Sequence, residues 1–301
     1  MLLENDEIAL ESAPSRGGAR RIATWLAHVR YILATNPVTL FAFVLFLLIL
    51  AAAIFERGLA PFDPLKTDAQ QLKPPSLTHW FGTDQLGRDL FSRVVVAARL
   101  DLMISVAAVA LSFIFGSALG AVAGYFGGWA DKLIGRLVDT IMAFPLFVLA
   151  MGIVAALGNT VENIVYATAI VNLPFYARMA RAEVNVRRDS GFVLAARLSG
   201  NGDWRLLATQ IFPNALPPMM VQLSLNMGWA ILNAAGLSFI GLGVRPPAPE
   251  WGIMVAEGAN YIVSGEWWLA FFPGAALMIA VFTFNLLGDG LRDIVDPQRR
   301  T

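Results

Sequence analysis

An all-helical protein that crosses a lipid bilayer several times is the fold this sequence predicts, on three observations. Of its 301 residues 57% are hydrophobic and only 15% charged, with a mean hydropathy of +0.61, whereas a soluble domain carries about 25% charged residues. Six apolar stretches are each close to the roughly 20 residues a helix needs to cross about 30 Å of hydrocarbon. Between the fourth and fifth stretches lies a polar, basic segment, residues 183–213, that such a protein must present outside the bilayer.

Taken in order, the first span covers about Val38–Phe55, free of charge and started by Asn36-Pro37, with proline in the first helical turn where its missing N–H costs nothing. Ahead of it, residues 1–36 form a tail whose Glu4, Asp6, Glu7 and Glu11 leave no apolar core for a cleaved signal peptide, so the first span is expected to double as an uncleaved anchor. An outer loop, 56–101, follows. Within it Asp84–Arg99 reads as an amphipathic helix. Leu86, Leu90, Val94 and Ala97 fall within about 80° of one another, and Arg88, Asp89, Ser92 and Arg99 take the other side. It is expected on the membrane face or against a neighbouring subunit.

The core spans occupy 102–287, beginning with the second at about Leu102–Tyr125. There Ser112, Gly116, Gly120 and Gly124 repeat every four residues, a row that lets another helix approach closely in lipid. The third span, about Leu137–Leu157, carries Arg136 and Asp139 near one end, expected to pair, and Pro145, expected to kink it. The fourth is about Ile164–Ala180, the fifth about Leu216–Ile240 and the sixth about Leu269–Leu287, with a loop at 241–268 before the last. Orientation follows from the basic residues: with the N-terminus inside, 15 of 22 Lys and Arg fall on the inner side, and both termini and the 183–213 loop are cytoplasmic.

Several functions are excluded. Zero net charge provides no global attraction to nucleic acid, and the absence of cysteine removes disulfides, thiolate metal sites and cysteine nucleophiles. His28 and His79 lie in separate segments with no zinc-binding spacing, so no metal site is expected. No phosphate-binding Gly-x-x-x-x-Gly-Lys-Ser/Thr occurs, and Gly241-Leu-Gly243 runs into Val-Arg-Pro-Pro, which cannot open a helix. The span interiors hold no constellation for catalysis and almost no ionisable group for ion coupling, which argues against an intramembrane enzyme and a stand-alone secondary transporter.

Within 183–213, Ser190 is placed to cap a short helix whose exposed face offers Phe192, Leu194 and Ala195, with Leu198 one turn on, and Val193 and Ala196 belong to the same coupling element. Gly200, Asn201 and Gly202 break it, Asp203 is placed to cap a second helix, and Pro213 opens the fifth span. By periodicity alone this is either a docking surface or an amphipathic loop resting on the bilayer.

Leu194-Ala-Ala-Arg-Leu-Ser-Gly200, with a proline thirteen residues after the glycine, resembles the coupling loop of ABC importer permeases. That signature begins Glu-Ala-Ala, and here Leu194 stands at the glutamate. Trp80-Phe-Gly-Thr-Asp-Gln-Leu-Gly-Arg-Asp-Leu-Phe-Ser-Arg93 is similar to the segment before the second span in dipeptide, oligopeptide and nickel importer permeases. So are Ser238-Phe-Ile-Gly-Leu-Gly243 and Pro246-Pro-Ala-Pro-Glu-Trp-Gly252 to their loop between spans five and six. The resemblance covers nearly everything after residue 80. It implies a type I ABC importer permease fold, a non-catalytic subunit, and a bacterial inner-membrane location. It also implies a homologous second permease, two ATPase subunits that bind ATP and Mg, and an extracytoplasmic substrate-binding protein. The solute would be a peptide, with nickel, glutathione or another small solute as alternatives.

On the fifth span Gln222, Asn226, Trp229 and Asn233 lie within about 60° of one another, and amides are costly against lipid. That face either lines a translocation path or glues helices together. Thr168, Asn172 and Tyr176 form a weaker stripe on the fourth span. In the 241–268 loop, Pro246, Pro247, Glu250 and Trp251 are candidates to meet a binding protein, while Trp251, Trp267 and Trp268 equally suit a membrane-interface belt.

Overall fold

The computed structural model describes residues 36–67 and 69–295. The expected N-terminal tail, with His28 and its arginines, and the C-terminal Arg299 and Arg300 lie outside the described residues.

Helix α1, Pro37–Ile54, starts as expected: the Asn36 side chain accepts hydrogen bonds from Val38 N and Thr39 N. It is apolar on every side, and Phe41, Leu48 and Ile54 stand exposed, as a lipid-facing helix requires. After the short α2, Glu56–Leu59, the chain runs without regular structure to Asp89 apart from an isolated bridge between Thr83 and Asp89.

The amphipathic helix expected over Asp84–Arg99 forms only from Leu90 on, as the start of a longer helix. Residues 84–89 are a turn, and α3 begins only at Leu90, with the Asp89 carboxylate accepting from Ser92 N at 2.8 Å. Gly87 is the reason: its φ of +77° is left-handed, and a β-carbon there would lie 2.3 Å from Ala69 O. Burial departs from the expectation at Arg88, Asp89 and Ser92, which are buried, and at Leu86, which is exposed, whereas Leu90, Val94 and Ala97 are buried and Arg99 is exposed as expected.

Helix α3 then continues unbroken for 37 residues, Leu90–Phe126. At 1.5 Å per residue that is about 55 Å, so the helix reaches well past the hydrocarbon. The small-residue row does what its spacing implies. β-Carbons added at Gly116, Gly120 and Gly124 would meet the carbonyls of Leu173, Ala177 and Arg181 at 2.7, 2.1 and 2.5 Å. Those carbonyls belong to α6, Val161–Arg187, which packs along α3 in the most extensive helix pair of the molecule.

In place of the expected third span there are two helices, α4 (Gly128–Met142) and α5 (Leu146–Leu157), at 88° to each other. Pro145 breaks the chain rather than kinking it, since it lacks the N–H and crowds the preceding turn. Arg136 does not pair with Asp139; Arg178 of α6 does, at 2.8 Å.

Beyond α6 come the eight-residue α7 (Gly191–Leu198), a single turn α8 (Asp203–Leu206) and a π-helical turn, Leu207–Ile211, that leads into α9, Phe212–Phe239. Helix α10, Trp251–Ala259, and α11, Trp268–Val295, complete the bundle. On length and composition α1, α3 and α11 can each cross a membrane, and the α4–α5 pair makes a fourth if counted as one span. Helices α6 and α9 are long enough, at 27 and 28 residues, but fall short in hydropathy.

Candidate coupling surface and polar seam

Helix α7 sits at one end of the bundle, anchored by one buried residue. Val193 has no exposed surface and packs with Val184, Leu206, Leu207 and Ile211. With that face fixed, Phe192 and Leu194 stand nearly half exposed and Leu198 is 90% exposed; Ala195 is exposed and Ala196 half-buried. Gly200, at φ +83°, reverses the chain with open space around it, and Asn201 holds the turn by donating to Ala196 O at 2.8 Å.

Two capping expectations fail here. Ser190 stands at the N-cap position but its hydroxyl donates back to Arg187 O at 2.6 Å. Asp203 is the first residue of α8, whose N-cap is Gly202. Its carboxylate instead accepts from the Tyr125 hydroxyl at 2.6 Å, and Arg197 donates to the same hydroxyl at 3.2 Å. Arg188 adds a bond to Gly124 O at 3.2 Å. The hairpin is therefore tied to the last turn of α3. Tyr125 was not singled out by sequence, because it reads there as the end of an apolar span. Pro213 lies in the first turn of α9, as expected.

The amide face of α9 meets the stripe on α6. Gln222 donates to Asn226 Oδ1 at 2.9 Å, and Thr168 donates to Asn233 Oδ1 at 3.4 Å. Asn226 and Asn233 are buried, Gln222 and Trp229 half-buried, and Trp229 meets the Phe175 ring edge-on. Asn172 is fully buried with neither amide atom bonded, and the Tyr176 hydroxyl and Asn226 Nδ2 likewise close no bond among the described residues.

At the opposite end of α3, two residues expected at the surface are interior. Glu250 and Trp251 are 1% and 3% exposed. The Glu250 carboxylate caps α10, accepting from Gly252 N at 2.9 Å and Ile253 N at 2.7 Å. Trp251 donates its backbone N–H to Asp101 at 3.1 Å and its indole N–H to Val94 O at 2.9 Å. Only Pro246 and Pro247 of that candidate set are exposed. Burial pushes the Glu250 carboxyl above the usual carboxylate range, against the hydrogen bonds that favour its charged form. Of the belt candidates, Trp267 is half exposed, whereas Trp268 is buried and its indole donates to Thr83 O at 3.4 Å.

The Trp80–Arg93 motif closes this end. Asp84 takes Arg88 at 2.5 Å and Arg93 at 3.5 Å, Arg88 lies 3.7 Å from Glu257, and His79 pairs with Asp89 at 2.8 Å. Arg93 also donates to Pro64 O and Pro247 O, stitching the loops to α3.

Among the described residues no cluster of His, Cys, Asp and Glu could hold a metal ion. Comparison with known proteins is decisive on kinship. The family model described as "Binding-protein-dependent transport system inner membrane component" matches residues 116–301. The chain is similar to the probable D,D-dipeptide transport system permease protein of Escherichia coli (strain K12), 45% identical over 90% of this chain and 91% of that one. It is similar also to the di/tripeptide transport system permease protein of Pseudomonas aeruginosa, 40% identical over 96% and 98%, respectively. A glutathione transport system permease protein of Pectobacterium atrosepticum is 40% identical over 85% of both chains. Among solved structures, an inward-facing MetNI methionine ABC transporter shares the fold, with a TM-score of 0.55 at 16% identity over 67% of this chain and 96% of that one. On this similarity, the chain belongs to the family of inner membrane components of binding-protein-dependent transport systems.

Proposed function

We propose that this chain is one of two permease subunits of an ABC importer in a bacterial cytoplasmic membrane, and that the solute is a peptide. Its partners are a homologous permease, two ATPase subunits that bind ATP and Mg, and an extracytoplasmic binding protein. The chain itself catalyses no reaction. Six spans with both termini inside are α1, α3, the broken α4–α5 pair, α6, α9 and α11. The polar residues that lower the hydropathy of α6 and α9 include those facing each other in the seam, where lipid does not reach them.

One observation carries the coupling role: an exposed apolar face, Phe192, Leu194 and Leu198, on a helix bonded through Tyr125 to α3 and joined across the Gly200 turn to α8, which runs through the π turn into α9. Force applied to α7 by a closing ATPase dimer passes directly into two long helices. To switch access, that force must favour one pore state by a few kcal/mol. Residues 192–196, Leu198, Gly200, Asp203 and Pro213 form this element. A second reading of the solute, glutathione, is favoured by the similarity to glutathione permeases.

For the path, the half-buried Gln222 and Trp229 are assigned to the solute-facing edge of α9, with Asn226 and Asn233 behind them holding α6. Pro246 and Pro247 are assigned to binding-protein contact. The assembly is tested by purification: the chain should bring down ATPase subunits and hydrolyse no ATP alone, and activity of the isolated chain would overturn the proposal. The path is tested in the cysteine-free background, where Gln222→Cys and Trp229→Cys should react with aqueous thiol reagents and Asn226→Cys and Asn233→Cys should not. Reaction only at the asparagines would reverse the assignment.

A further inference from the structure

Two cavities mark a groove along the seam of α3 and α6, one apolar at mid-helix and one cationic where α4 crosses it. The apolar part is a cavity of about 260 Å³ lined by Leu111, Phe115, Tyr166, Ile170 and Leu173, with Ser112 at its floor. Phe115 and Tyr166 are half exposed there, open to whatever surrounds the helices. The cationic part is a cavity of about 530 Å³, to which α4 contributes Lys132 and Arg136 and α6 contributes Arg178 and Arg181. Its two carboxylates are already engaged. Asp139 accepts from Arg178, and Asp131 accepts two N–H groups from Arg181. Lys132 and Arg136 make no ion pair among the described residues, so four cations face two carboxylates and two positive charges are left over.

The two cavities lie on one line. Ser112 and Ala123 on α3, and Ile170 and Arg181 on α6, are each eleven residues apart. That spacing returns to the same helix face within about 20°, about 16 Å further along the axis. Helix α4 is the limb by which the broken α4–α5 span reaches the headgroup level, and its surface is interfacial in character. It meets α5 at 88°, only Val138 along it is buried, and Trp129, Leu133 and Leu137 expose one apolar face beside the cations.

We infer that this groove binds an anionic phospholipid, its phosphate held by Lys132, Arg136 and the outer N–H groups of Arg178 and Arg181, and an acyl chain lying in the apolar cavity. The match is one of charge at one end and hydrocarbon at the other, at a separation that an acyl chain covers. A free anion would use only the cationic end, and a helix of a partner subunit would not call for two surplus cations. The inference needs only that the chain is embedded in a membrane, and it holds for either orientation.

The test uses the assembled transporter, extracted in mild detergent, with its co-purified phospholipids quantified by mass spectrometry. Anionic lipid should be enriched several-fold over the bulk membrane. The double variant Lys132→Gln, Arg136→Gln should lower that retention about tenfold. Ile170→Trp, which fills the apolar cavity and leaves the cations alone, should lower it too. All three positions are exposed, and unchanged melting temperatures will separate lost binding from lost folding. Delipidated complex should be stabilised by phosphatidylglycerol vesicles and not by inorganic phosphate. Bulk lipid composition in the wild type overturns the inference. So does equal protection by phosphate, which would make this a free-anion site. Efficient cross-linking of Arg136→Cys to the second permease, without retained lipid, would assign the face to that partner instead.

Discussion

The two ends of α3 solve opposite problems. At its Leu90 end charged side chains are interior: Asp84, Arg88, Asp89 and Arg93 are each at most 3% exposed, Asp84 holding both arginines, Asp89 held by His79 and Ser92, and only Arg88 Nη2 lacking a hydrogen bond among the described residues. At its Phe126 end the charges are outside and the apolar residues are too, with Phe192, Leu194 and Leu198 uncovered. An ionic knot in low dielectric fixes loops in one arrangement, because losing one partner strands the other. An uncovered apolar helix on a rigid mount is incomplete without a partner. The first end is built to stay closed, and the second to be held.

Asp84→Ala attacks the first end and should have the largest effect. It leaves Arg88 and Arg93 buried without their carboxylate, at a cost of about 3 kcal/mol or more. A thermal melt of the purified complex measures it, and a melting temperature within error of the wild type would mean the knot is not closed in the membrane.

Gly200→Asp attacks the second end and should leave stability almost untouched, at about 1 kcal/mol of left-handed strain, since nothing lies within 4 Å of the added β-carbon. Binding-protein-stimulated ATP hydrolysis should nevertheless collapse, because a partner can no longer seat against the turn. Normal stimulation would make α7 a passive surface helix. Leu194→Glu, by contrast, should be tolerated, because the family signature carries glutamate at this place and a partner shaped for that signature accepts the acidic group; the side chain supports nothing in the bundle.

The smallest effect is a pH dependence confined to the first end. The Glu250 carboxyl, which shares its buried site with the Asp101 carboxyl, titrates above its ordinary range when folded, so the contribution of this pair to stability is complete below the unfolded pKa, about 4.3 for a glutamate, and is lost as pH rises through the folded one. Melting temperature should fall gently as pH is raised above that range, and Glu250→Gln should flatten the slope. A variant with the same slope as the wild type would move the titration to another group.

Much of this was legible in the sequence, residue by residue. Asn36-Pro37 announced the start of α1, the four-residue glycine row announced the α3–α6 contact, and the alanine-glycine hairpin announced an exposed helix. These are local signals: a cap, a spacing and a composition, each needing only its own neighbours. Three expectations failed for a shared reason. The start of the Asp84–Arg99 helix, the Arg136–Asp139 pair and the surface positions of Glu250 and Trp251 were inferred from spacing or composition within one segment. Each was overruled by a group far away in the chain: Ala69 against Gly87, Arg178 reaching Asp139, and Asp101 with Val94 receiving Trp251.

Composition and spacing by themselves determined that this chain is helical, apolar enough for a bilayer, and equipped with a small-residue hairpin between two of its spans. Only the tertiary structure decided which polar residues are interior. An arginine or glutamate in a sequence carries the same charge wherever it lies, and whether it faces water depends on a partner brought near by folding. Burial of a charge is a property of the pair, and the pair exists only once α3, α6 and the loops at either end have met.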